Sequence, residues 1–296
     1  MAATSSSSNT NLRIRRGPFH QWEREDIQRG SFRARGWIKA VNKSPTDIAS
    51  ISHWESVWRK TASVRGFSTL NYYDFRLSKL FQSVVAPGSS VIEIGCGGSR
   101  WIGYFDRILR CETWGIDYSP EGLAIAERSN SQRPRVRLVA GDFFDPSALP
   151  SEYFDFIYSL GFIEHFTDAA LVTRRMFQVL RPGGRVMTLV PNFLSAYGSI
   201  QKRVNRATFD KHVIMTTTML DDAHFAGGMT AVDSARFFGC FGPGVIDYGL
   251  WQRLVLPPIR LGQHLACWSL HSLHLDRESR LHSPYIVGIY EKPKAL

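Results

Sequence analysis

The stretch Val91-Ile92-Glu93-Ile94-Gly95-Cys96-Gly97-Gly98-Ser99 decides the fold of this chain. A run of buried-strand residues leads into a glycine-rich turn, which lets the backbone approach a ligand closely, and the next helix offers its amino end. Arg100 stands where a dinucleotide site requires its third glycine, so the NAD fingerprint fails. No Gly-Lys-Ser/Thr follows the turn, which excludes a P-loop.

Short apolar runs alternate with helical stretches around this turn, at the spacing of successive strand–helix–strand units. We predict strands near residues 90–94, 112–116, 136–140, 154–159, 185–190, 235–238 and 285–290. Helices are predicted near residues 47–61, 68–85, 99–109, 120–128, 168–180, 194–204 and 216–225. The alternation predicts one α/β sheet domain with an N-terminal helical annex.

Two carboxylates stand where the next strands end. Asp117 lies 22 residues after Gly95, where a carboxylate can accept hydrogen bonds from both hydroxyls of a ribose. After the third strand, Asp142 can accept from the exocyclic amine of an adenine, and Phe143 can pack on its ring. Each acid alone is equally consistent with a turn or a helix cap. Together, at one edge of a parallel sheet, they predict a nucleoside site.

The ordered motifs resemble the class I S-adenosylmethionine-dependent methyltransferases, in particular the branch that modifies small molecules. The matching stretches are Glu93-Ile94-Gly95-Cys96-Gly97-Gly98, Gly115-Ile116-Asp117-Tyr118-Ser119, Ala140-Gly141-Asp142-Phe143, Gly161-Phe162-Ile163-Glu164-His165 and Leu180-Arg181-Pro182-Gly183-Gly184. The resemblance implies a Rossmann-like, seven-stranded sheet with an antiparallel last strand and helices on both faces. It also implies S-adenosyl-L-methionine as the cofactor.

The resemblance assigns parts of the cofactor to strand ends. Glu93, Gly95 and Gly97 would line its methionine part, Asp117 would hold the ribose, and Tyr118 would contact the adenine. The full predicted cofactor-binding set is Glu93, Gly95, Cys96, Gly97, Asp117, Tyr118, Gly141, Asp142, Phe143, Ser159 and Leu160.

His165 is the predicted catalytic residue. A sulfonium is already an activated methyl donor, so the protein mainly has to hold a nucleophile in line and exclude water. A base is needed only for a protonated, weak nucleophile, and a histidine near the fourth strand end suits that role. The alternative is that His165 only supports the cofactor pocket.

The acceptor is expected to be a small molecule that receives the methyl group on an O, N or S atom. Aromatic residues ahead of the glycine turn could form a wall whose ring faces stabilise a cation, or they could simply be core. A lid after Pro191 would add further contacts. The predicted substrate-binding set is Trp54, Trp58, Tyr72, Tyr73, Phe193, Tyr197 and His212.

These elements divide the chain into two parts. Residues 1–45 are predicted to be a flexible basic extension, and residues 46–296 to be the methyltransferase domain. Within the domain we predict N-terminal helices at 46–87, the cofactor-binding core at 88–191, a lid or substrate insertion at 192–232, and C-terminal strands with a helix at 233–296.

The net charge of +10 makes nucleic acid a possible partner, but the charge is unevenly distributed. Residues 1–65 carry 12 Lys/Arg and 5 Asp/Glu, a net of +7, whereas the remaining residues carry 24 and 21, a net of +3. We therefore expect no nucleic-acid partner. The alternative is an RNA- or protein-modifying methyltransferase that uses the basic extension. Against it, Ser159-Leu160-Gly161-Phe162 replaces the Pro-Pro-aromatic motif of amino-methylating nucleic-acid enzymes. A non-catalytic cofactor-binding module is a third alternative.

The remaining sequence patterns predict that the chain has no membrane span and no metal site. The most apolar long segment, residues 254–275, contains Pro257, Pro258 and Arg260, so we expect no membrane span. No Cys-x-x-Cys spacing occurs, and the C-terminal histidines lack further ligands at suitable spacing, so no metal is expected. We expect a cytoplasmic protein, an organellar transit peptide being the alternative, and the sequence leaves the oligomeric state open.

Overall fold

A seven-stranded sheet organises the molecule. The computed structural model describes residues 47–61 and 64–294, so the extension predicted for residues 1–45 lies outside the described residues. The strands are β1 (Ser90–Ile94), β2 (Glu112–Asp117), β3 (Val136–Ala140), β4 (Phe154–Leu160), β5 (Leu180–Pro191), β6 (Thr230–Phe238) and β7 (Tyr285–Glu291). Their spatial order is β3-β2-β1-β4-β5-β7-β6.

The pairing of these strands confirms the predicted fold class. Strands β1 to β5 pair with one another in parallel. Strand β7 is antiparallel to both of its neighbours, β5 and β6. Two strands begin earlier than predicted, β5 at Leu180 and β6 at Thr230. The early residues of β6 lie on an exposed edge and lack the apolar alternation that marks a buried strand.

Helices cover both faces of the sheet. They are α1 (Ile51–Arg59), α2 (Tyr72–Val84), α3 (Trp101–Arg107), α4 (Pro120–Asn130), α5 (Ala169–Val179), α6 (Ala196–Val204), α7 (Arg206–Phe209), α8 (Thr217–Ala226) and α9 (Gln252–Ser272). Alternate residues of one strand point to opposite faces, so Val91 packs with α2 and α3, whereas Ile92 packs with α5 and α8.

The segment predicted as a lid, residues 192–232, has two parts with different structural roles. Helix α8 packs against α5 and β6, and its Leu220 and Ala223 are buried in the main core. Residues from α6 and α7 instead line a cavity, as described below. The second half of the segment is therefore part of the sheet's packing, because its apolar spacing buries one helix face.

Helix α9 follows two short 3₁₀ turns, Pro243–Val245 and Gly249–Trp251, and precedes β7. It contains Pro257 and Pro258 within its length. In the part of the chain that the structure describes, no helix combines the length and apolarity needed to cross a membrane.

Candidate active site

The glycine turn after β1 adopts backbone conformations that require glycine. Gly95 has φ +70° and Gly97 has φ +32°. A Cβ atom on Gly97 would lie 2.1 Å from Cζ2 of Trp58, which packs directly on the turn. The turn therefore forms only with glycine here, and α1 closes over it through Trp58.

Asp117, at the end of β2, is tied to this turn. Its Oδ2 accepts a hydrogen bond from the Gly97 backbone N–H at 2.8 Å, and its Oδ1 accepts from that of Ser119 at 2.8 Å. Burial raises the pKa of Asp117 to about 6, while the backbone donors act against the rise. Each carboxylate oxygen has a second lone pair, so both oxygens can accept from a ligand hydroxyl as well.

Glu93 is a second buried carboxyl beside the turn. The Tyr158 hydroxyl donates to its Oε2 at 2.8 Å. Burial raises the pKa of Glu93 to about 8. A cation placed next to Glu93 would favour the ionised carboxylate, so the site is suited to a positively charged ligand group.

A small cavity of about 30 Å³ lies at the ends of β2 and β3. The predicted adenine contacts Tyr118, Asp142 and Phe143 line it, together with Gly141 from the predicted cofactor-binding set. Asp142 Oδ1 accepts from the Phe144 backbone N–H at 2.9 Å, which turns the chain after β3. Phe162 and Phe166 border both this cavity and a larger one.

The larger cavity has a volume of about 450 Å³. Its floor contains Glu93, Gly95, Cys96, Asp117 and Leu160 from the sheet. Further residues that line it include Phe238 and Tyr285 of β6 and β7 and, from the helices and loops, Trp54, Trp58, Tyr73, Arg100, His165, Phe193, Gln201, Thr208, His212, Val245 and Asp247. The volume falls in the range of sites for small organic molecules.

His165 and His212 meet at this cavity with their ring centroids 4.5 Å apart. His165 Nδ1 lies 2.7 Å from the Lys211 carbonyl oxygen, and His212 Nδ1 lies 2.8 Å from that of Thr208. A carbonyl only accepts, so each Nδ1 carries the proton and each Nε2 bears a lone pair. Burial lowers the pKa of His165 to about 3, and burial also lowers the pKa of His212. Both rings are neutral at physiological pH.

Glu164 lies beside this histidine pair. One ligand atom from each of Glu164, His165 and His212 lies within 4.8 Å of the others, an arrangement that a metal ion could use. His165 Nε2 is 3.9 Å from Glu164 Oε1. Ligand atoms around a metal with bonds near 2.1 Å stand about 3 to 3.5 Å apart, so the group is wider than a formed site.

The predicted aromatic wall is only partly present. Trp54 packs edge-on against His165, with ring centroids 4.9 Å apart, and Trp58 and Tyr73 also line the cavity. Tyr72 lies elsewhere: it is fully buried, and its hydroxyl donates to Asp276 at 3.0 Å.

Three other predicted residues also stay outside the lining of both cavities: Gly97, which Trp58 covers, Tyr197 and Ser159. The Tyr197 hydroxyl accepts from the Gly242 backbone N–H at 2.9 Å. Ser159 is completely buried, and its Oγ has no hydrogen-bond partner among the described residues. The side chains of Tyr197 and Ser159 point into the packed interior because of the helix face and the strand face on which they lie.

Several residues that line the larger cavity could not be recognised as site residues from the sequence. Arg100 ion-pairs with the buried Asp74, whose Oδ1 lies 2.6 Å from Arg100 Nη2. Asp247 accepts at Oδ2 from the Thr208 hydroxyl at 2.8 Å. Gln201 holds the same loop by accepting from the Asp247 backbone N–H at 2.8 Å. These residues come together only through tertiary packing.

Comparison with known proteins gives matches to one domain type. Residues 92–188 match the family described as a methyltransferase domain. A demethylmenaquinone methyltransferase of Lysinibacillus sphaericus is 29% identical over 36% of this chain and 45% of its own length. An O-methyltransferase of Penicillium expansum is 26% identical over 46% of this chain and 49% of its own length. The chain thus spans about half the length of these curated relatives.

The fold is also shared with solved structures. Phosphoethanolamine N-methyltransferase 2 of Haemonchus contortus, in complex with S-adenosyl-L-methionine, superposes with a TM-score of 0.54. The match covers 83% of this chain and 58% of that one at 14% identity, which shows a common fold. The names of these proteins include O- and N-methyltransferases, so the acceptor atom has to be argued from the site.

Proposed function

The chain carries a class I S-adenosylmethionine-dependent methyltransferase domain, and we propose that it methylates a hydroxyl oxygen of an uncharged small molecule. The observation that carries this proposal is the pair of neutral imidazoles, His165 and His212, at an aromatic cavity of about 450 Å³.

The residues around the glycine turn fit the cofactor. The turn has positive φ angles at Gly95 and Gly97, and two buried carboxyls, Glu93 and Asp117, face the large cavity. In the proposal Asp117 holds the ribose hydroxyls, Glu93 lies by the methionine part, and Asp142 takes the adenine amine. When bound, S-adenosyl-L-methionine supplies a methyl group that is activated by a sulfonium.

The charges at the cavity disfavour an anionic acceptor. Among the described residues that line it, Arg100 is the single permanent cation, and it is ion-paired with Asp74, which Arg65 also contacts at 3.4 Å. An anionic acceptor such as a phosphate ester would lack a free counter-charge from these residues, and burying an unpaired charge is costly. The walls from Trp54, Phe193 and Phe238 instead suit an apolar body.

His165 is assigned the handling of the acceptor's proton. Its Nε2 lone pair accepts a hydrogen bond from the acceptor hydroxyl and orients the oxygen. As the new O–CH₃ bond forms, the hydroxyl proton becomes strongly acidic, so even an imidazole with a pKa of about 3 can take it. An aliphatic amine arrives as an ammonium ion without a lone pair, and so weak a base could not take its proton before the transfer, which is why we favour oxygen over nitrogen.

The test uses methyl-labelled S-adenosylmethionine with a panel of phenols and alcohols, matched amines, and a cell extract separated by size. We expect label in low-mass hydroxyl compounds, and none with Asp117→Ala. His165→Asn keeps an N–H for the Lys211 carbonyl but loses the Nε2 acceptor, and we expect kcat to fall by about 10²-fold. Binding of S-adenosylhomocysteine should be unchanged in that variant.

Three results would contradict the proposal. Label found in RNA or protein would support the macromolecule-modifying alternative. Label found only in amines would overturn the choice of oxygen. An unchanged kcat in His165→Asn would leave His165 as a support for the cofactor pocket alone.

A further inference from the structure

His165 and His212 form a pair of hydrogen-bond acceptors at the larger cavity. The Nδ1 proton of each ring is donated to a backbone carbonyl, at 2.7 Å for His165 and 2.8 Å for His212. Each ring therefore offers a lone pair at Nε2, and both side chains line the cavity. The proton of the acceptor hydroxyl needs only the lone pair of His165, so the lone pair of His212 is left for another group of the acceptor.

Aromatic neighbours hold both rings in place. Trp54 packs edge-on against His165, and Phe193 packs edge-on against His212, each with ring centroids 4.9 Å apart. The two imidazole centroids are 4.5 Å apart, and one ring nitrogen of each histidine lies within 4.8 Å of the other. The two acceptors are thus preorganised side by side, close enough for neighbouring hydroxyls of one molecule to reach both rings.

Two hydroxyl donors that line the cavity are engaged elsewhere. The Thr208 hydroxyl donates to Asp247 Oδ2 at 2.8 Å, and the Tyr73 hydroxyl donates to the Phe241 carbonyl at 2.7 Å. Neither hydroxyl supplies its proton to the imidazoles. Removing an acceptor lone pair from water without giving it a donor costs free energy. A bound molecule is therefore favoured when it brings one donor to each ring.

We propose that the methyl acceptor is a vicinal diol, with one hydroxyl on His165 and the adjacent hydroxyl on His212, and that His212 selects it. The inference rests on the proposed function, because it names the class of hydroxyl compound that the same cavity takes. The aromatic walls from Trp54 and Phe193 suit a planar ring as the carrier of the two hydroxyls.

The two hydroxyls have different fates in the transfer. The oxygen beside His165 forms the new bond to the methyl carbon as the carbon–sulfur bond breaks, and the electron pair of that bond stays on sulfur. The proton of this hydroxyl passes to His165 Nε2, while the second hydroxyl keeps its proton and its hydrogen bond to His212. The product is a monomethyl ether with one donor left, so it can no longer satisfy both rings.

The experiment compares catechol, resorcinol and hydroquinone, three uncharged isomers that differ only in the spacing of their two hydroxyls, with phenol as the single-hydroxyl reference. Methyl transfer from labelled S-adenosylmethionine, with air excluded, gives kcat/KM for each compound. Calorimetry gives the affinity of each compound for the protein loaded with S-adenosylhomocysteine.

The test variant is His212→Asn, which keeps an N–H for the Thr208 carbonyl but loses the Nε2 acceptor. The matched control is His274→Asn, at an exposed position with φ +55°, a conformation that asparagine also adopts. Thermal melting verifies that each variant folds.

We expect the wild type and the control to favour catechol over each of the other compounds by at least about tenfold in both measurements. In His212→Asn this preference should disappear, while phenol is methylated as by the wild type. The monomethyl ether 2-methoxyphenol should be no better an acceptor than phenol.

The other outcomes separate this inference from the proposed function. Equal methylation of all four compounds, a preference for resorcinol or hydroquinone, or a catechol preference that survives in His212→Asn would overturn the vicinal diol and leave the proposed function standing. Preferential binding of catechol through His212 without label in any hydroxyl compound would support the diol site and overturn the proposed function. Absence of both the binding preference and the label would overturn both.

Discussion

Replacing Glu164 by glutamine should remove a pH-dependent penalty on folding. The carboxyl is 2% exposed, and its Oε2 has no hydrogen-bond partner among the described residues. Burial raises its pKa from 4.5 to about 8. The native state therefore binds this proton more tightly than the unfolded chain does, and stability is lost as the pH rises from about 4.5 to about 8.

The size of this loss of stability follows from the pKa shift of Glu164. One pKa unit corresponds to about 1.4 kcal/mol, so the whole penalty approaches about 5 kcal/mol. Between about pH 6 and about pH 9, the wild type loses on the order of 3 kcal/mol through this group. Glutamine has no proton to lose at this site, so Glu164→Gln avoids that loss. Its buried amide adds a cost, but one that does not vary with pH.

Urea denaturation at several pH values measures the difference in unfolding free energy between Glu164→Gln and the wild type. We expect this difference to move in favour of the variant by roughly 3 kcal/mol between about pH 6 and about pH 9. The exposed Glu121→Gln controls for loss of one charge on the surface. Parallel pH profiles for Glu164→Gln and the wild type would refute the reasoning, because the carboxyl would then be ionised alike in both states.

Two further predictions concern the cofactor site, and a third concerns Glu164 and the histidine pair. Asp117→Asn must turn an amide N–H toward one of two backbone donors, so calorimetry should show S-adenosylhomocysteine binding weakened by at least about tenfold; unchanged affinity would contradict the ribose assignment. Gly97→Ala should also weaken this binding, because its Cβ meets Trp58, whereas Gly66→Ala, which has no neighbour within 4 Å, should not. Metal chelation should leave methyl transfer unchanged, since the 3.9 Å from His165 to Glu164 exceeds ligand spacing; activity restored by a divalent metal would show otherwise.

The cofactor half of the site was accessible from the sequence because its geometry is local. The carboxyl ends of neighbouring parallel strands meet at one edge of the sheet. The glycine turn, Asp117 and Asp142 each follow or end such a strand, so they come together at this edge independently of the rest of the chain. The structure brings Glu93, Gly95, Asp117 and Asp142 to two adjoining cavities there.

The acceptor half depends on contacts between distant segments. His165 meets His212 because a loop after α7 packs over the turn that follows β4, and Arg100 is ion-paired with Asp74 from α2. Tyr72 and Tyr197 had the right chemistry, but packing turns both away from the cavity lining. No spacing rule links residues on unrelated loops and helices.

The sequence by itself determined the sheet, the glycine turn and the carboxylates at the strand ends, because strand periodicity and backbone sterics act over a few residues. Only the tertiary structure decided the shape and charge of the acceptor cavity, the protonation of its buried carboxyls and histidines, and which side of α9 is left exposed. Burial sets each of these, and burial is a property of the whole packed chain.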